Sequence, residues 1–178
     1  MDNRIKNINK KKSKLKVNKR KPRNTKFIDR LIQLSRVTKV TKGGKTLSFR
    51  AVVAIGNEQG VVGIGIAKAN DVINAFKKAK SNGYKSLILI PLTKSFTIPH
   101  HSVGYFGACK VVMHPSLEGS GVIAGGAVRI VLEVAGIKNI TAKQLGSSNL
   151  LNNARATLVA LKNLTTKEKV FKNRKINF

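Results

Sequence analysis

Between Leu47 and Ile55 the chain alternates without a break, with Leu47, Phe49, Ala51, Val53 and Ile55 at every second position. A period of two in such residues specifies an extended strand with one face in a core. Turn residues bound it on both sides, Gly43-Gly44 before and Gly56-Asn57-Glu58-Gln59-Gly60 after, so its neighbours return antiparallel through short loops. Residues 36–42 mix Val37 and Val40 with Arg, Lys and Thr, as an edge strand does, and residues 61–67 read as a third strand. Ahead of these, Phe27, Leu31 and Leu34 share one helical face and predict a short amphipathic helix over 27–34. Residues 70–81 predict another helix, burying Val72, Ile73, Phe76 and Ala79, with Lys77, Lys78 and Lys80 largely off that face. A helix, three antiparallel strands and a helix make a complete small α+β unit.

A second unit follows. Residues 87–90 read as a buried strand at its start, with loop signals at Pro91 and at Pro99-His100-His101. Residues 108–113 read as a strand running into Pro115, 122–135 as a helix closed by Gly136, and 137–145 as a strand. Residues 149–164 form a helix with Leu151, Ala154, Leu158 and Leu161 on one face, behind Ser147, Ser148 or Asn149 as N-cap. The expected fold class is therefore α+β with two small domains, 27–93 and 94–164, between basic extensions at 1–26 and 165–178.

Charge constrains the chain as firmly as pattern. Among 178 residues, 35 are Lys or Arg and 7 are Asp or Glu, a formal charge of +28. Residues 1–26 hold +11 of this and residues 165–178 hold +4, leaving +13 between them. Runs such as Lys10-Lys11-Lys12 and Lys19-Arg20-Lys21 repel in a packed element, so both ends are expected to be flexible arms that order on a phosphate backbone. A transit peptide is the alternative for the start; a secretory signal is not, because no apolar stretch follows the charges. No apolar run approaches the roughly 18 residues of a membrane helix. So basic a surface calls for a polyanion, most simply nucleic acid.

Motifs of catalysis fail on spacing. Gly43-Gly44-Lys45-Thr46 suggests a P-loop, but the position five before the Gly-Lys pair is Lys39 rather than glycine, and the segment joins two strands. What remains is a glycine-tipped hairpin among Arg36, Lys39, Lys42, Lys45 and Arg50, able to approach a phosphate closely. A basic hairpin that is merely solvated is the plainer alternative. In Glu118-Gly119-Ser120-Gly121-Val122-Ile123-Ala124-Gly125-Gly126 the third glycine comes one residue late for a dinucleotide loop, and no acid follows about twenty positions on. These glycines suit a flexible helix entry, with free N–H groups open to a phosphate. Arg129 and Glu133, spaced i, i+4, can pair with each other or serve an outside contact. His100, His101 and His114 lack nearby acids and do not describe a metal site, and Cys109 reads as a small core residue. No cofactor and no enzymatic activity are expected.

In this order the segments resemble a known family. Arg36-Val37-Thr38-Lys39-Val40-Thr41-Lys42-Gly43-Gly44-Lys45, Ser48-Phe49 and Gly60-Val61-Val62-Gly63-Ile64-Gly65 resemble the first domain of the small-ribosomal-subunit protein S-five family. The glycine-rich 118–126 segment, Leu132-Glu133-Val134-Ala135-Gly136, Leu145-Gly146-Ser147 and Arg155-Ala156-Thr157 resemble its second. Ile55-Gly56-Asn57-Glu58-Gln59-Gly60, Pro91-Leu92-Thr93-Lys94-Ser95 and residues 152–157 are similar to the plastid (chloroplast) branch, and an excess of 26 Lys over 9 Arg fits an AT-rich genome. Two departures stand out: Leu150-Leu151 where the family usually has proline, and Lys45 for a frequent Arg, which keeps charge and loses the fork.

The resemblance implies a first domain like the double-stranded-RNA-binding fold and a second with a left-handed βαβ crossover, against the usual handedness. It implies small-subunit rRNA as ligand, with residues 38–45 reaching towards the subunit neck near the spectinomycin site. It further implies contacts with protein S-four and protein S-eight, near the messenger entry channel shared with S-three. Gly121 and Arg129 are the positions it ties to S-four and to decoding accuracy. The expected rRNA-binding set is Arg36, Thr38, Lys39, Lys42, Gly43, Gly44, Lys45 and Arg50. The expected place is the ribosome of a plastid stroma, or of a bacterial cytoplasm. The rival reading, a free-standing double-stranded-RNA chaperone, predicts tight binding to arbitrary duplexes and leaves the second domain unexplained.

Overall fold

The computed structural model describes residues 27–174, so the expected arm at 1–26 lies outside the described residues. The first sheet is an antiparallel meander, β1 (Ile28–Thr41), β2 (Gly44–Gly56), β3 (Val61–Ala69) and the short β4 (Ile88–Leu89), in that order. Helix α1 (Val72–Lys85) joins β3 to β4 and covers one face. The second sheet runs β5 (Ser102–Phe106), β6 (Cys109–Pro115), β8 (Ile140–Leu145), β7 (Val122–Ile123). Helix α2 (Gly126–Ala135) links β7 to β8, which pair in parallel, giving a βαβ unit; β7 takes residues 122–123 out of the helix expected over 122–135. Helix α3 (Leu150–Lys162) packs on β5 and β6, and α4 (Lys167–Arg174) follows.

The two-domain α+β class stands, with one reversal inside it. Residues 27–34 are not a helix: Ile28 onward begins β1, so the first unit reads β-β-β-α-β among the described residues. A β-bulge explains the false signal. The β1–β2 register jumps between Leu31 and Gln33, leaving Ile32 unpaired, so Leu31 (opposite Val53) and Leu34 (opposite Ala51) share a face although three apart. That spacing also reads as a helical turn.

The strand β2 is buried on both faces from Ala51 onward, where alternation predicted one. Ala51, Val53 and Ile55 pack with Ala75 and Ala79 of α1. Val52 and Ala54 join Val62, Ile64 and the interior of the second unit, including Val131, Leu132 and Leu161, in one larger core. One strand thus serves two cores.

Helix α1 buries Ala75, Ala79 and Gly83 rather than Val72 and Ile73, and Ile73 is 68% exposed. Gly63 and Gly65 of β3 present no Cβ, so the helix settles on its small residues and turns the larger ones outward. Residues 87–90 yield only the two-residue β4, which completes the first sheet instead of opening the second unit, and Leu89 stays exposed. The loop expected at Pro99-His100-His101 stands, and β5, which the sequence did not announce, begins directly after it at Ser102; a Cβ on its Gly104 would stand 2.6 Å from Ala160 N, so α3 sits close against it. Asn149 caps α3, its Oδ1 accepting from Leu151 N at 3.2 Å, and Gly136 ends α2 at φ 88°, both as expected. The expected flexible tail at 165–178 holds α4, where Thr166 Oγ1 accepts from Lys169 N at 3.3 Å and Lys167 lies over Phe171 one turn on; residues 175–178 lie outside the described ones.

Candidate nucleic-acid interface

The third strand stops opposite Phe49, so beyond the Arg36–Phe49 row β1 and β2 continue as a two-stranded ribbon. Five further rows at about 3.4 Å each carry its tip roughly 17 Å past the sheet. Lys42 and Gly43 form the turn, and Thr41 Oγ1 donates to Gly44 O at 3.1 Å. Gly44 has φ 149°, a conformation that glycine adopts readily, and the space around both glycines is open. Backbone at such a tip can meet a phosphate without obstruction.

Pairing sorts the expected residues onto two faces. Arg36, Thr38, Lys45 and the exposed Val40 and Leu47 lie on the α1 side. Lys39 and Arg50 lie on the side facing the second unit, with Ser35 directly opposite Arg50 and Lys68 opposite it on β3. All but the half-buried Arg50 are exposed, and Lys42 sits in the turn between faces. Sequence reasoning missed Ser35 and Lys68; the third strand's register, counted back from the turn at Gly60, is the signal that places Lys68 beside Arg50.

The other expected pair lies on the glycine-rich segment. Gly121 is exposed at φ 72° just before β7, with open space around it. Arg129 Nε donates to Glu133 Oε1 at 2.8 Å, and Arg30 Nη1 of β1 donates to Glu133 Oε2 at 3.0 Å. The mutual pair is therefore made, and Glu133 is also clamped to the first sheet. Gly125, the N-cap of α2, lies under the Gln144 amide, where a Cβ would stand 2.6 Å from Nε2. Beside Glu133, a cavity of about 720 Å³ opens between the two units, lined by Arg30, Glu58, Phe96 and Lys138 among others.

Among the described residues, His101 stacks on His114 at 6.1 Å and no three His, Cys, Asp or Glu converge as a metal group. His100 is structural. Its Nε2 accepts from Thr165 N at 3.1 Å, which leaves the proton on Nδ1 to donate to His101 O at 2.7 Å. Cys109 is buried as a core residue.

A basic two-unit scaffold with a projecting glycine-tipped ribbon belongs to the nucleic-acid-binding class rather than to the enzymes. Comparison with known proteins refines this. The family description "Ribosomal protein S5, N-terminal domain" matches residues 27–91, and "Ribosomal protein S5, C-terminal domain" matches residues 104–174. The chain belongs to the ribosomal protein S5 family. It is 65% identical to small ribosomal subunit protein uS5c of Phaeodactylum tricornutum over 180 residues, covering 99% of this chain and 100% of the relative. It is 62% identical to the same protein of Trieres chinensis, covering 99% and 95%. With that of Thalassiosira pseudonana it shares 68% identity, covering 84% and 83%.

Proposed function

We propose that this chain is a structural, non-catalytic constituent of the small subunit of a plastid-type ribosome, bound to small-subunit rRNA. The observation that carries the reading is the Lys-rich ribbon with its open glycine tip, on a chain matching uS5c over almost its full length. Lysines neutralise phosphates and release their counterions, while the bare tip fits close to RNA backbone. Arg36, Thr38, Lys39, Lys42, Gly43, Gly44, Lys45 and Arg50 make these contacts. Gly121 and Arg129 face protein S-four and tune decoding accuracy; S-eight and S-three are the further neighbours, and the plastid stroma is the compartment. Domains divide at 93/94, with residues 1–26 and 165–178 as basic extensions. Among the described residues no helix is long and apolar enough to cross a membrane.

The test is a double charge reversal, Lys42→Glu with Lys45→Glu, at two exposed positions whose loss leaves the core intact. Two attractive contacts become repulsive, so occupancy in purified small subunits should fall several-fold. Normal occupancy refutes the role given to the ribbon. Sedimentation of the wild-type chain separates the rival: co-migration with small subunits through a high-salt wash marks an integral component, and loss at mild salt with tight binding to arbitrary duplexes marks a chaperone.

A further inference from the structure

The second sheet has one side in the core and one side open. Cys109, Val111, Met113 and Ala142 point inward and are buried, with α3 packed on β5 and β6. The alternate residues point outward, and the register sets Tyr105 opposite Lys110 and Val112 opposite Lys143, with His114 a row further on. Lys110 Nζ stands 5.5 Å from the centre of the Tyr105 ring, which is nevertheless 61% exposed, so one side of the ring is open to a second planar group. At the other end of the face His101, just before β5, lies near-parallel to His114 with ring centres 6.1 Å apart, and both are exposed. Four residues of strand, about 14 Å, separate the tyrosine from the histidines. The four strands of this sheet contain no Asp or Glu, and neither Lys110 nor Lys143 forms an ion pair among the described residues.

We propose that this open face holds a stretch of unpaired RNA, its bases stacked on Tyr105 and on the His101–His114 pair and its phosphates met by Lys110 and Lys143. The proposal rests on the reading that the chain binds rRNA, and it gives the second unit a part in that binding separate from the ribbon. Exposed rings are what a base needs, since every base has a flat face to lay on them, and a sheet that presents rings beside cations is an established platform for single strands. A duplex cannot use the rings, because its bases are already stacked on one another; it could use only the lysines. A protein partner fits the face poorly. The core of a protein interface is depleted of lysine, whereas here Lys110 and Lys143 stand in the middle of the face between the two ring groups. The absence of carboxylates from the strands completes the match, because nothing on them repels a phosphate or competes for the ammonium groups.

The experiment uses the full chain with two probes of equal phosphate number, an unstructured mixed-pyrimidine oligoribonucleotide and an RNA duplex, over a potassium chloride series that weakens purely electrostatic binding. The chain has no Trp and two Tyr, so Tyr84→Phe leaves Tyr105 as its single tyrosine reporter while keeping a ring against Phe27. The single strand should quench Tyr105 emission and the duplex should not. Tyr105→Ser with His114→Ser, both at exposed positions, should leave the melting temperature unchanged, weaken the single strand about tenfold and weaken the duplex by no more than about twofold. Lys110→Gln with Lys143→Gln should weaken both probes and lower the salt slope by about one to two. Unquenched Tyr105 emission, or an unchanged single-strand affinity in the ring variant, overturns the proposal. An equal loss for the two probes, or a loss that tracks the melting temperature, overturns it as well. Reduced occupancy in subunits with unaltered affinity for RNA overturns it in favour of a polypeptide on this face. If the wild-type chain holds rRNA while the ring variant behaves identically, the functional reading stands without this face; a wild-type chain that fails to hold rRNA defeats the functional reading itself.

Discussion

The substitution Gly65→Ala probes the closest contact in the first unit. A Cβ on Gly65 would run into the Ala79 carbonyl oxygen and stand 2.6 Å from Gly83 N, where ordinary contact begins at 3.4 Å. Both obstacles are backbone of α1, so no side chain can turn aside and the helix itself must lift by about an ångström. A gap of that size forfeits roughly a quarter to a half of the dispersion energy along the seat. That seat is small, Ala75, Ala79 and Gly83, with Phe76 alongside. Overpacking commonly costs about 1–3 kcal/mol, and a rigid obstacle puts this case at the upper end, about 3 kcal/mol. For a chain of this size each kcal/mol moves Tm by about 2–4 °C, so the variant should melt about 6–12 °C lower. Gly43→Ala, in open space and without a positive φ, serves as the comparison and should shift Tm by no more than about 2 °C. Thermal melting by circular dichroism reads both, and hydrogen exchange should show α1 losing protection before α3. A Gly65→Ala protein that melts with the wild type refutes the close-seat argument.

Three further perturbations follow from named contacts. The hydrogen bond to Asp29 at 2.6 Å, with its charge, raises the Lys80 pKa above the usual 10.5 against the opposing effect of burial. A raised lysine stabilises the fold fully below about pH 10.5 and loses that contribution as pH climbs through the higher folded value. Lys80→Met should therefore be less stable than wild type at pH 8, with the gap closing as the pH climbs past 10.5 through the raised folded value; a gap independent of pH in denaturant titrations sinks this. His100→Ala removes the acceptor of Thr165 N, and trypsin should then cut at Lys167 and Lys169 several-fold faster, or the tether is immaterial. Arg129→Leu leaves Glu133 its bond to Arg30, so it should alter misreading in a reporter more than subunit assembly; an unchanged error rate counts against the role given to Arg129.

What was legible in the sequence was local and periodic. The glycine-tipped hairpin, the alternating strand and the capped helices α2 and α3 each declare themselves within one window of residues. What was hidden depended on partners remote in the chain. The bulge at Ile32 gave Leu31 and Leu34 helix-like spacing, because a strand with one extra residue restarts its alternation. The small face of α1 was invisible until Gly63 and Gly65 lay beneath it. The second buried face of β2 belongs to residues more than seventy positions away. The candidate site divided likewise: Lys39, Lys42 and Lys45 flank the glycines in sequence, whereas the union of Ser35, Arg50 and Lys68 exists only in the register.

The scarcity of acids explains how such a scaffold stays rigid while keeping its cations free. Asp29 and Arg30 are consecutive on β1, so their side chains leave opposite faces of the sheet. Asp29 takes Lys80 of α1 on one side at 2.6 Å, and Arg30 takes Glu133 of α2 on the other at 3.0 Å. Two adjacent residues thus fasten the base of the ribbon strand to both bodies that sandwich it, and Glu133 recruits Arg129 as well. These are the ion pairs formed among the described residues. Each is part-exposed and worth little alone, on the order of 0–1 kcal/mol. Their effect is positional, because they sit where the two units meet the shared sheet and resist rotation of one against the other. Among the described residues no carboxylate forms an ion pair with Lys39, Lys42 or Lys45, which are left to an external polyanion. Adding an acid near the tip would both pair those lysines internally and repel phosphate, which is why a charge reversal at Lys42 and Lys45 tests the architecture as directly as it tests binding.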